Sequence, residues 1–275
     1  MKLYIEILKM FFKKYILRKD TGTVIKDFCI NMGVVYIKIG QILATQNIGN
    51  IFNEKDRQIL SSICDNCKEI KYNEIKKTIE KEYGCNIEDK FISVNEKPIG
   101  AASISQVHKA VLKNGKEVAI KVKRKDITDG IEKDIEKIRK LIHKFGKFAG
   151  VRNLTGGDKA LDLYLTWIKE ETDFSDEKQN IIDYNAFASL VNGKVKNTKN
   201  IKVPKVYDEL CTENIIVMDF IESKTINQLE LDESSKNKIC EALNSYLQLS
   251  FYALLNNKRI IFHGDPHGAN IYIDK

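Results

Sequence analysis

A hairpin signal in the middle of the chain limits the fold more than any other feature. The runs AASISQVHKAVL (101–112) and KEVAIKVK (116–123) are rich in strand-forming residues, and Asn114-Gly115 stands between them. Asn-Gly is a typical hairpin-turn pair, so the two runs predict an antiparallel strand pair. FISV (91–94) predicts a further strand just before them.

The remaining pattern is mostly helical. From the start to about Glu82, apolar residues recur every three or four positions without any proline, which predicts helices. After the hairpin, further helices are predicted at about 126–148, 159–190 and 234–256, and further strands within 201–210, 213–222, 259–265 and 269–274. This order predicts the α+β class: a small sheet with inserted helices, joined to a helical lobe.

Composition excludes several kinds of protein. The net charge of +7 comes from lysines interleaved with acidic residues, which indicates solvated helix faces and no nucleic-acid groove. The six cysteines are interpreted as reduced thiols of a cytoplasmic protein; the Cys64/Cys67 pair has zinc spacing but lacks a second pair. No apolar run reaches the roughly 20 residues that a membrane-spanning helix needs.

The first twenty residues form an amphipathic pattern. Apolar side chains that can share one helical stripe are Leu3, Ile7, Met10, Phe11 and Leu17, and the cations are Lys9, Lys13, Lys14, Arg18 and Lys19. Such a helix suits an anionic membrane surface. A helix docked on its own protein has the same pattern, so both interpretations stay open.

Three stretches have the residue types of a phosphoryl-transfer site. Lys121 lies in the otherwise apolar run VAIKV, where phosphates and a helix carboxylate would balance its charge. Asp265 and Asn270 follow His263 with the spacing of a catalytic loop, in which the Asp orients the attacking hydroxyl and the Asn binds magnesium. The small residues of Gly100–Gln106 permit close backbone approach to phosphates. Taken singly, Lys121 can also be a solvent-facing strand lysine, and the small-residue stretch Gly100–Gln106 can also be an ordinary turn.

Two helical motifs complete the set. Lys38 and Gln41 of K-x-G-Q are three residues apart and share a helix face, as a plain polar stripe also would. Glu171-x-Asp173 is followed by Glu177. Together with GAASISQVH, VAIK and HGDPHxxN, these motifs resemble the UbiB/AarF family of atypical protein-kinase-like proteins from about Met32 to the last residue.

The resemblance implies a kinase-like fold in three segments. Residues 1–90 would be a helical N-terminal extension with the K-x-G-Q motif, 91–222 the N-lobe, and 223–275 the start of the C-lobe. It also implies bound ATP or ADP with Mg²⁺, a role in isoprenoid quinone or membrane lipid metabolism, and a peripheral position on the inner face of a membrane. An isoprenoid lipid is a further expected partner.

The resemblance also assigns roles to single residues. Lys121, Glu177 and Asp265 would be catalytic, with Lys121 on the phosphates, and Asn270 would bind the metal. Lys38, Gln41, Glu171 and Asp173 would cover the place where a peptide substrate docks in ordinary kinases. The nucleotide-binding residues would be Lys121 together with Ala101, Ala102, Ser103, Ile104, Ser105, Met218 and Phe220.

Departures from the family pattern leave the activity open. Gly268-Ala269 and Gln46-Asn47 replace the usual Pro-Gly and Arg-Pro, and no Asp-Phe-Gly precedes Lys275. A truncated lobe is therefore expected, with self-association through exposed apolar side chains of the helix around Leu243–Leu254. A nucleotide-binding regulatory pseudokinase on a membrane is the main alternative to an ATPase or kinase. An aminoglycoside-kinase-type phosphotransferase shares the HGD loop but leaves K-x-G-Q unexplained.

Overall fold

The computed structural model describes residues 2–45, 52–63, 69–125, 131–145, 158–170, 172–191, 202–230, 232–255 and 271–274. Helices make up most of these residues, and an antiparallel sheet follows the N-terminal helices. The predicted α+β class is confirmed. The division into three segments stays a prediction.

The N-terminal region is helical, as the periodicity predicts. Its helices are α1 (Lys2–Phe11), which continues as a π-helical turn (Phe12–Ile16), α2 (Thr21–Met32), α3 (Val34–Thr45), α4 (Glu54–Ser61), α5 (Tyr72–Tyr83) and α6 (Ile87–Lys90). The later helices are α7 (Ile131–Phe145), α8 (Asp158–Glu170), α9 (Phe174–Val191) and α10 (Glu233–Leu255). Helix α10 agrees with its prediction to within one residue at each end.

The sheet is built around the predicted hairpin. Its strands are β1 (Phe91–Val94), β2 (Gly100–Ala101), β3 (Ser105–Leu112), β4 (Glu117–Lys123) and β5 (Ile215–Asp219), and among the described residues they follow the order β1-β3-β4-β5, with β2 paired to β3. The Leu112 N–H donates to Lys116 O over 2.9 Å, and Gly115 takes the positive φ of 83° that the turn requires. A separate pair joins β6 (Ser223–Thr225) to β7 (Tyr272–Asp274).

Three predicted features are wrong in detail. The helix over 159–190 is two helices, α8 and α9, and Thr172 and Asp173 lie between them outside both. The strand over 201–210 is reduced to one bridge, between Val206 and Met218, and a 3-10 turn at Asp208–Leu210. Pro204 lacks the N–H that a longer ladder would use. The N-terminal stripe is split, because Phe11 and Leu17 are exposed whereas Leu3 packs with the partly buried side chains of the core.

The described chain divides into two compact units. The first comprises Met1–Ile87, Asn95–His108 and Lys121–Asp173. Its core joins the N-terminal helices to later segments through the buried side chains of Cys29, Met32, Val35, Tyr36, Ile37, Leu60, Ile63, Ile104, Ile131, Ile138 and Ile168. Burial of a large aliphatic side chain contributes about 1.5–3 kcal/mol, so this cluster is the main source of stability in the unit.

The second unit comprises Glu88–Val94, Lys109–Ile120 and Phe174–Lys275. Its core is the continuous apolar run of β5, in which Ile215, Ile216 and Val217 are fully buried, together with Phe174 at the start of α9. Helix α9 packs against β5. A strand that is covered on both faces needs apolar side chains at consecutive positions, which explains the run Ile215-Ile216-Val217.

Helix α10 keeps a row of apolar side chains in solvent. Leu243, Leu247, Phe251 and Leu254 are 39%, 52%, 61% and 57% exposed, in agreement with the exposed face predicted there. Among the described residues, no helix is both long enough and apolar enough to cross a bilayer.

Candidate nucleotide site

The predicted nucleotide lysine lies in a strand with little access to solvent. In β4, Val118, Ile120 and Val122 are fully buried, whereas Lys121 is half-buried. Strand alternation puts Lys123 on the same face as Lys121, and Lys123 is only 9% exposed. The sequence analysis missed Lys123, although its spacing of two residues from Lys121 was a usable signal.

The small-residue loop between β2 and β3 is closed by a tight turn. The Ala102 N–H donates to Ser105 O over 2.8 Å, and Ala101 pairs with Gln106 in the ladder. Ser103, Ile104 and Ser105 are buried, while Gly100 and Ala102 are exposed. The open part of this loop therefore lies at 100–102, at the start of the predicted nucleotide-binding run.

Ile104 links this loop to the K-x-G-Q helix. Its side chain is 7% exposed and belongs to the same buried cluster as Val35, Tyr36 and Ile37 of α3. Its carbonyl oxygen accepts from the N–H of Arg124, 2.9 Å away and three residues after Lys121. The structure thus brings together the predicted loop, the strand that carries Lys121 and the helix that carries K-x-G-Q.

The glycine of K-x-G-Q has a packing role. A Cβ at Gly40 would lie 2.7 Å from Ile63 Cδ1 and 3.1 Å from Cys29 Sγ, so alanine at this position would require both side chains to shift. Lys38 and Gln41, on the same helix, are half-buried. Burial raises the pKa of the Cys29 thiol to about 12, against the opposing effect of the Gly40 N–H.

A buried polar network follows the loop, and the sequence analysis gave it no role. The Gln106 side-chain amide pairs with the Ile70 backbone, accepting from its N–H over 2.8 Å and donating to its oxygen over 3.1 Å. Gln106 Nε2 lies 3.0 Å from His108 Nε2, and His108 Nδ1 lies 2.7 Å from Asn95 O. With the amide fixed by Ile70, this geometry requires His108 to carry its proton on Nδ1 and to accept at Nε2.

Burial lowers the pKa of His108, although the Asn95 carbonyl and Glu69 favour its charged form. The neutral ring is therefore the form that the network holds at neutral pH. Through it, the segments at Ile70 and Asn95 are both tied to β3, directly beyond the loop.

In the second unit, the structure puts three predicted residues on two packed elements. Glu177 is half-buried in the first turn of α9, and Met218 and Phe220 are half-buried at and just beyond the end of β5. Helix α9 packs against β5, so these three residues lie on neighbouring elements of the second unit. The Lys109 ammonium lies 4.3 Å from the centroid of the Phe220 ring.

Asp219, between Met218 and Phe220, anchors this end of β5. It accepts from Tyr207 Oη and from Lys116 Nζ, each over 2.8 Å. Burial alone would raise the pKa of Asp219, but the hydrogen bonds from Lys116, Tyr207 and the Lys205 N–H, together with the Lys116 charge, outweigh it, and the net shift is downward. A cavity of about 510 Å³ adjoins this cluster and is lined in part by Lys116, Lys202 and Asp219. The sequence analysis missed Asp219 because its partners lie far away in the chain.

Three predicted residues, Glu171, Asp265 and Asn270, lie outside the described residues. Asp173 is described and exposed. Within the described ranges, no group of three or more His, Cys, Asp or Glu side chains could hold a metal ion. The roles of Asp265 and Asn270 therefore remain predictions from their motif.

Comparison with known proteins gives a consistent result. Residues 62–275 match the ABC1 atypical kinase-like domain. The chain is 31% identical over 244 residues to an uncharacterized protein in the hydrogenase 1 5' region of Clostridium pasteurianum, covering 88% of this chain and 43% of that protein. It is 29% identical over 251 residues to AarF domain-containing protein kinase 1 of Gallus gallus, covering 90% of this chain and 45% of the relative.

Two further proteins are also similar to this chain. Protein ACTIVITY OF BC1 COMPLEX KINASE 7, chloroplastic, of Arabidopsis thaliana is 26% identical over 261 residues, covering 94% of this chain and 35% of that protein. A solved complex of Mycobacterium tuberculosis Rv3197 with erythromycin superimposes with a TM-score of 0.56 at 21% identity, covering 85% of this chain and 55% of that one. The chain spans less than half the length of the three curated relatives.

Proposed function

The chain belongs to the ABC1 (UbiB/AarF) family of atypical kinase-like proteins and has their kinase-like fold, and from this premise we propose that it binds ATP or ADP with Mg²⁺ as an atypical kinase or ATPase. The observation that carries the proposal is the position of Lys121. Its neighbours in β4 from Val118 to Lys123 are buried, and the small-residue loop is hydrogen-bonded to Arg124, which directly follows this strand. A cation beside a loop of small residues is the arrangement that holds nucleotide phosphates.

The predicted catalytic, phosphate-contacting and metal-binding residues have these roles in the proposal. Lys121 contacts the phosphates, Glu177 balances its charge, and Gly100–Ala102 offer exposed backbone to the phosphate oxygens. Asp265 orients the attacking group, and the Asn270 side-chain oxygen suits Mg²⁺, which prefers oxygen ligands. The metal would neutralise charge that develops on the phosphates. By family resemblance, the activity serves isoprenoid quinone or membrane lipid metabolism.

The alternative is a regulatory pseudokinase that holds nucleotide without turnover. Asp265→Asn separates the two functions. Under the enzymatic proposal it abolishes phosphate release from ATP and spares binding, whereas a pseudokinase shows no lysine- or aspartate-dependent release at all.

Binding of fluorescent ADP, with and without magnesium, tests the site directly. Lys121→Ala is expected to weaken binding at least tenfold, because a phosphate loses a charged hydrogen-bond donor. Lys113→Ala is the matched control, since Lys113 is exposed at the hairpin and the substitution removes the same charge. Equal affinity in wild type and Lys121→Ala would refute the assignment of Lys121.

We also propose a peripheral position on an anionic membrane, carried by the exposed face of the N-terminal helix. Large apolar side chains there are 45–69% exposed, namely Tyr4, Ile5, Leu8, Phe11, Phe12, Tyr15, Ile16 and Leu17. Lys13 is turned inward, 2.6 Å from Asp27. The face open to a partner is thus apolar and aromatic, with Arg18 and Lys19 exposed beyond it, and aromatic side chains with flanking cations suit the headgroup region.

Co-sedimentation with vesicles tests this position. Leu8→Glu with Phe12→Glu is expected to abolish binding to vesicles that contain an anionic lipid. The control is Ile92→Glu, because Ile92 is also apolar and 58% exposed but lies in β1. Undiminished binding of the double variant would show that this face does not contact the bilayer.

A further inference from the structure

We propose that Arg124 is a positioning residue that fixes the small-residue loop in the conformation that receives nucleotide phosphates. The inference rests on the proposed nucleotide binding and adds to it a residue that none of the motifs contains. Arg124 directly follows β4 and is half-buried. It contacts the loop at two points, one through its backbone and one through its side chain.

The two contacts hold two different carbonyl groups. The backbone N–H of Arg124 donates to Ile104 O over 2.9 Å, which continues the β3–β4 ladder. The side-chain Nε–H donates to Ala102 O, also over 2.9 Å. The first contact survives substitution of the side chain, whereas the second depends on it, so the two can be separated by mutation.

The side-chain contact controls a peptide group at the tip of the loop. In a trans peptide the C=O and the following N–H point in opposite directions, and the described chain has no cis peptide bond. Holding Ala102 C=O toward Arg124 therefore turns the Ser103 N–H away from it. Backbone N–H groups held in one direction in a loop of small residues are donors for phosphate.

The rest of the loop gives this contact its importance. Ile104 is held by the apolar core and the Ala102 N–H by Ser105 O, so the side chain of Arg124 acts on the neighbouring peptide group, between Ala102 and Ser103. A glycine-rich loop would adjust this peptide on binding, but alanine and serine have less backbone freedom. The loop conformation must therefore be set before the nucleotide binds. The planar guanidinium of Arg124 loses little side-chain entropy when it holds Ala102 O through Nε.

The closing experiment compares ADP with adenosine in the full chain. Arg124→Ala is expected to weaken ADP binding about tenfold, the effect of losing one charged hydrogen bond, and to change adenosine binding less than twofold. Arg124→Lys is expected to recover part of the ADP affinity, because its ammonium can still donate to Ala102 O. Lys125→Ala, which removes an equal charge at an exposed neighbour, is the control and should bind ADP as the wild type does.

Hydrogen exchange on the same variants reports on the loop itself. The Ser103 amide, which shares a peptide group with Ala102 O, should change its exchange rate in Arg124→Ala, and the Gly115 amide in the hairpin turn should not. An equal loss of ADP and adenosine binding, no loss of either, or unchanged exchange at Ser103 would overturn the positioning role alone. A wild-type chain that binds neither ligand would overturn the proposed function, and this inference with it.

Discussion

Replacing Gly22 with alanine is expected to lower the free energy of unfolding of the first compact unit by about 2–4 kcal/mol. Gly22 lies in the first turn of α2 and faces α4. Its N–H donates to Asp56 Oδ1 over 2.6 Å, in a buried hydrogen bond. A Cβ at this position would lie 2.7 Å from Asp56 O and 2.8 Å from Asp56 Cα, which are backbone atoms that cannot rotate away.

Three contributions set the size of the effect. Overpacking in a close-packed interior costs about 1–3 kcal/mol. Separating the helices also weakens a hydrogen bond to a carboxylate, which is worth about 1.5–3 kcal/mol when lost entirely. Alanine is the better helix former, but by about 1 kcal/mol at most. The two unfavourable contributions therefore dominate.

Urea unfolding followed by tryptophan fluorescence measures this change. The chain has a single tryptophan, Trp167 in α8, and its neighbour Ile168 belongs to the core cluster of the same unit. The fluorescence therefore reports on the unit that contains Gly22. The expected result is a lower midpoint with an unchanged slope, which indicates a loss of stability without a change in the unfolded state.

Gly100→Ala is the matched control. It makes the same chemical change, but a Cβ at Gly100 meets nothing within 4 Å, so it should shift stability by less than about 1 kcal/mol in either direction. Equal midpoints for Gly22→Ala and Gly100→Ala would refute the close approach of α2 to α4. Asp56→Asn, which keeps the shape and an acceptor oxygen, measures what the charge of the acceptor adds to this hydrogen bond.

Other expected outcomes concern protonation, thiol reactivity and association. Between about pH 7.5 and pH 5.5 the wild type should lose stability as pH falls, because burial lowers the pKa of folded His108 and the unfolded chain takes up the proton first. In urea titrations, His108→Gln should reduce this dependence of stability on pH. An unchanged dependence would contradict a buried neutral ring. At about pH 8 a thiol reagent should label exposed Cys240 well before Cys29, whose pKa is about 12, and mass mapping that finds equal rates would contradict the burial of Cys29. Leu247→Glu with Phe251→Glu should reduce concentration-dependent sedimentation, and a monomeric wild type would refute association through α10.

Local chemistry explains which elements the sequence could predict. The β3–β4 hairpin is predictable from two strand-forming runs and the Asn114-Gly115 pair between them, and Gly115 takes the positive φ that glycine permits. Helix α10 has a long periodic run, which fixes its ends to within a residue. The same local signals fail at 201–210, where the chain lies beside β5 with Tyr207 N–H on Val217 O, because Pro204 prevents a continuous ladder.

In the candidate site, too, the residues with a local sequence signal were predicted and those without one were not. Lys121 and the small-residue loop were predictable because each has a distinctive residue type in a short motif. The residues that fix the loop were not, since Arg124 and Gln106 are ordinary in sequence and act through backbone groups. Gln106 reaches Ile70, which lies before the sheet begins, and no pattern within the motif indicates that partner.

Ile104 connects the K-x-G-Q helix and the loop, because its side chain packs in the same buried cluster as side chains of α3. As motifs they are separate, but Ile104 and three α3 side chains share one buried cluster, and Gly40 lets α3 approach Cys29 and Ile63 in that cluster. Interiors are close-packed and transmit displacement, so a shift of α3 must be accommodated at Ile104. The Ile104 N–H belongs to the peptide that directly follows the loop tip at Ala102–Ser103. A change at the helix, whether a substitution at Gly40 or a partner bound to its face, should therefore alter the loop that Arg124 holds, and nucleotide affinity with it.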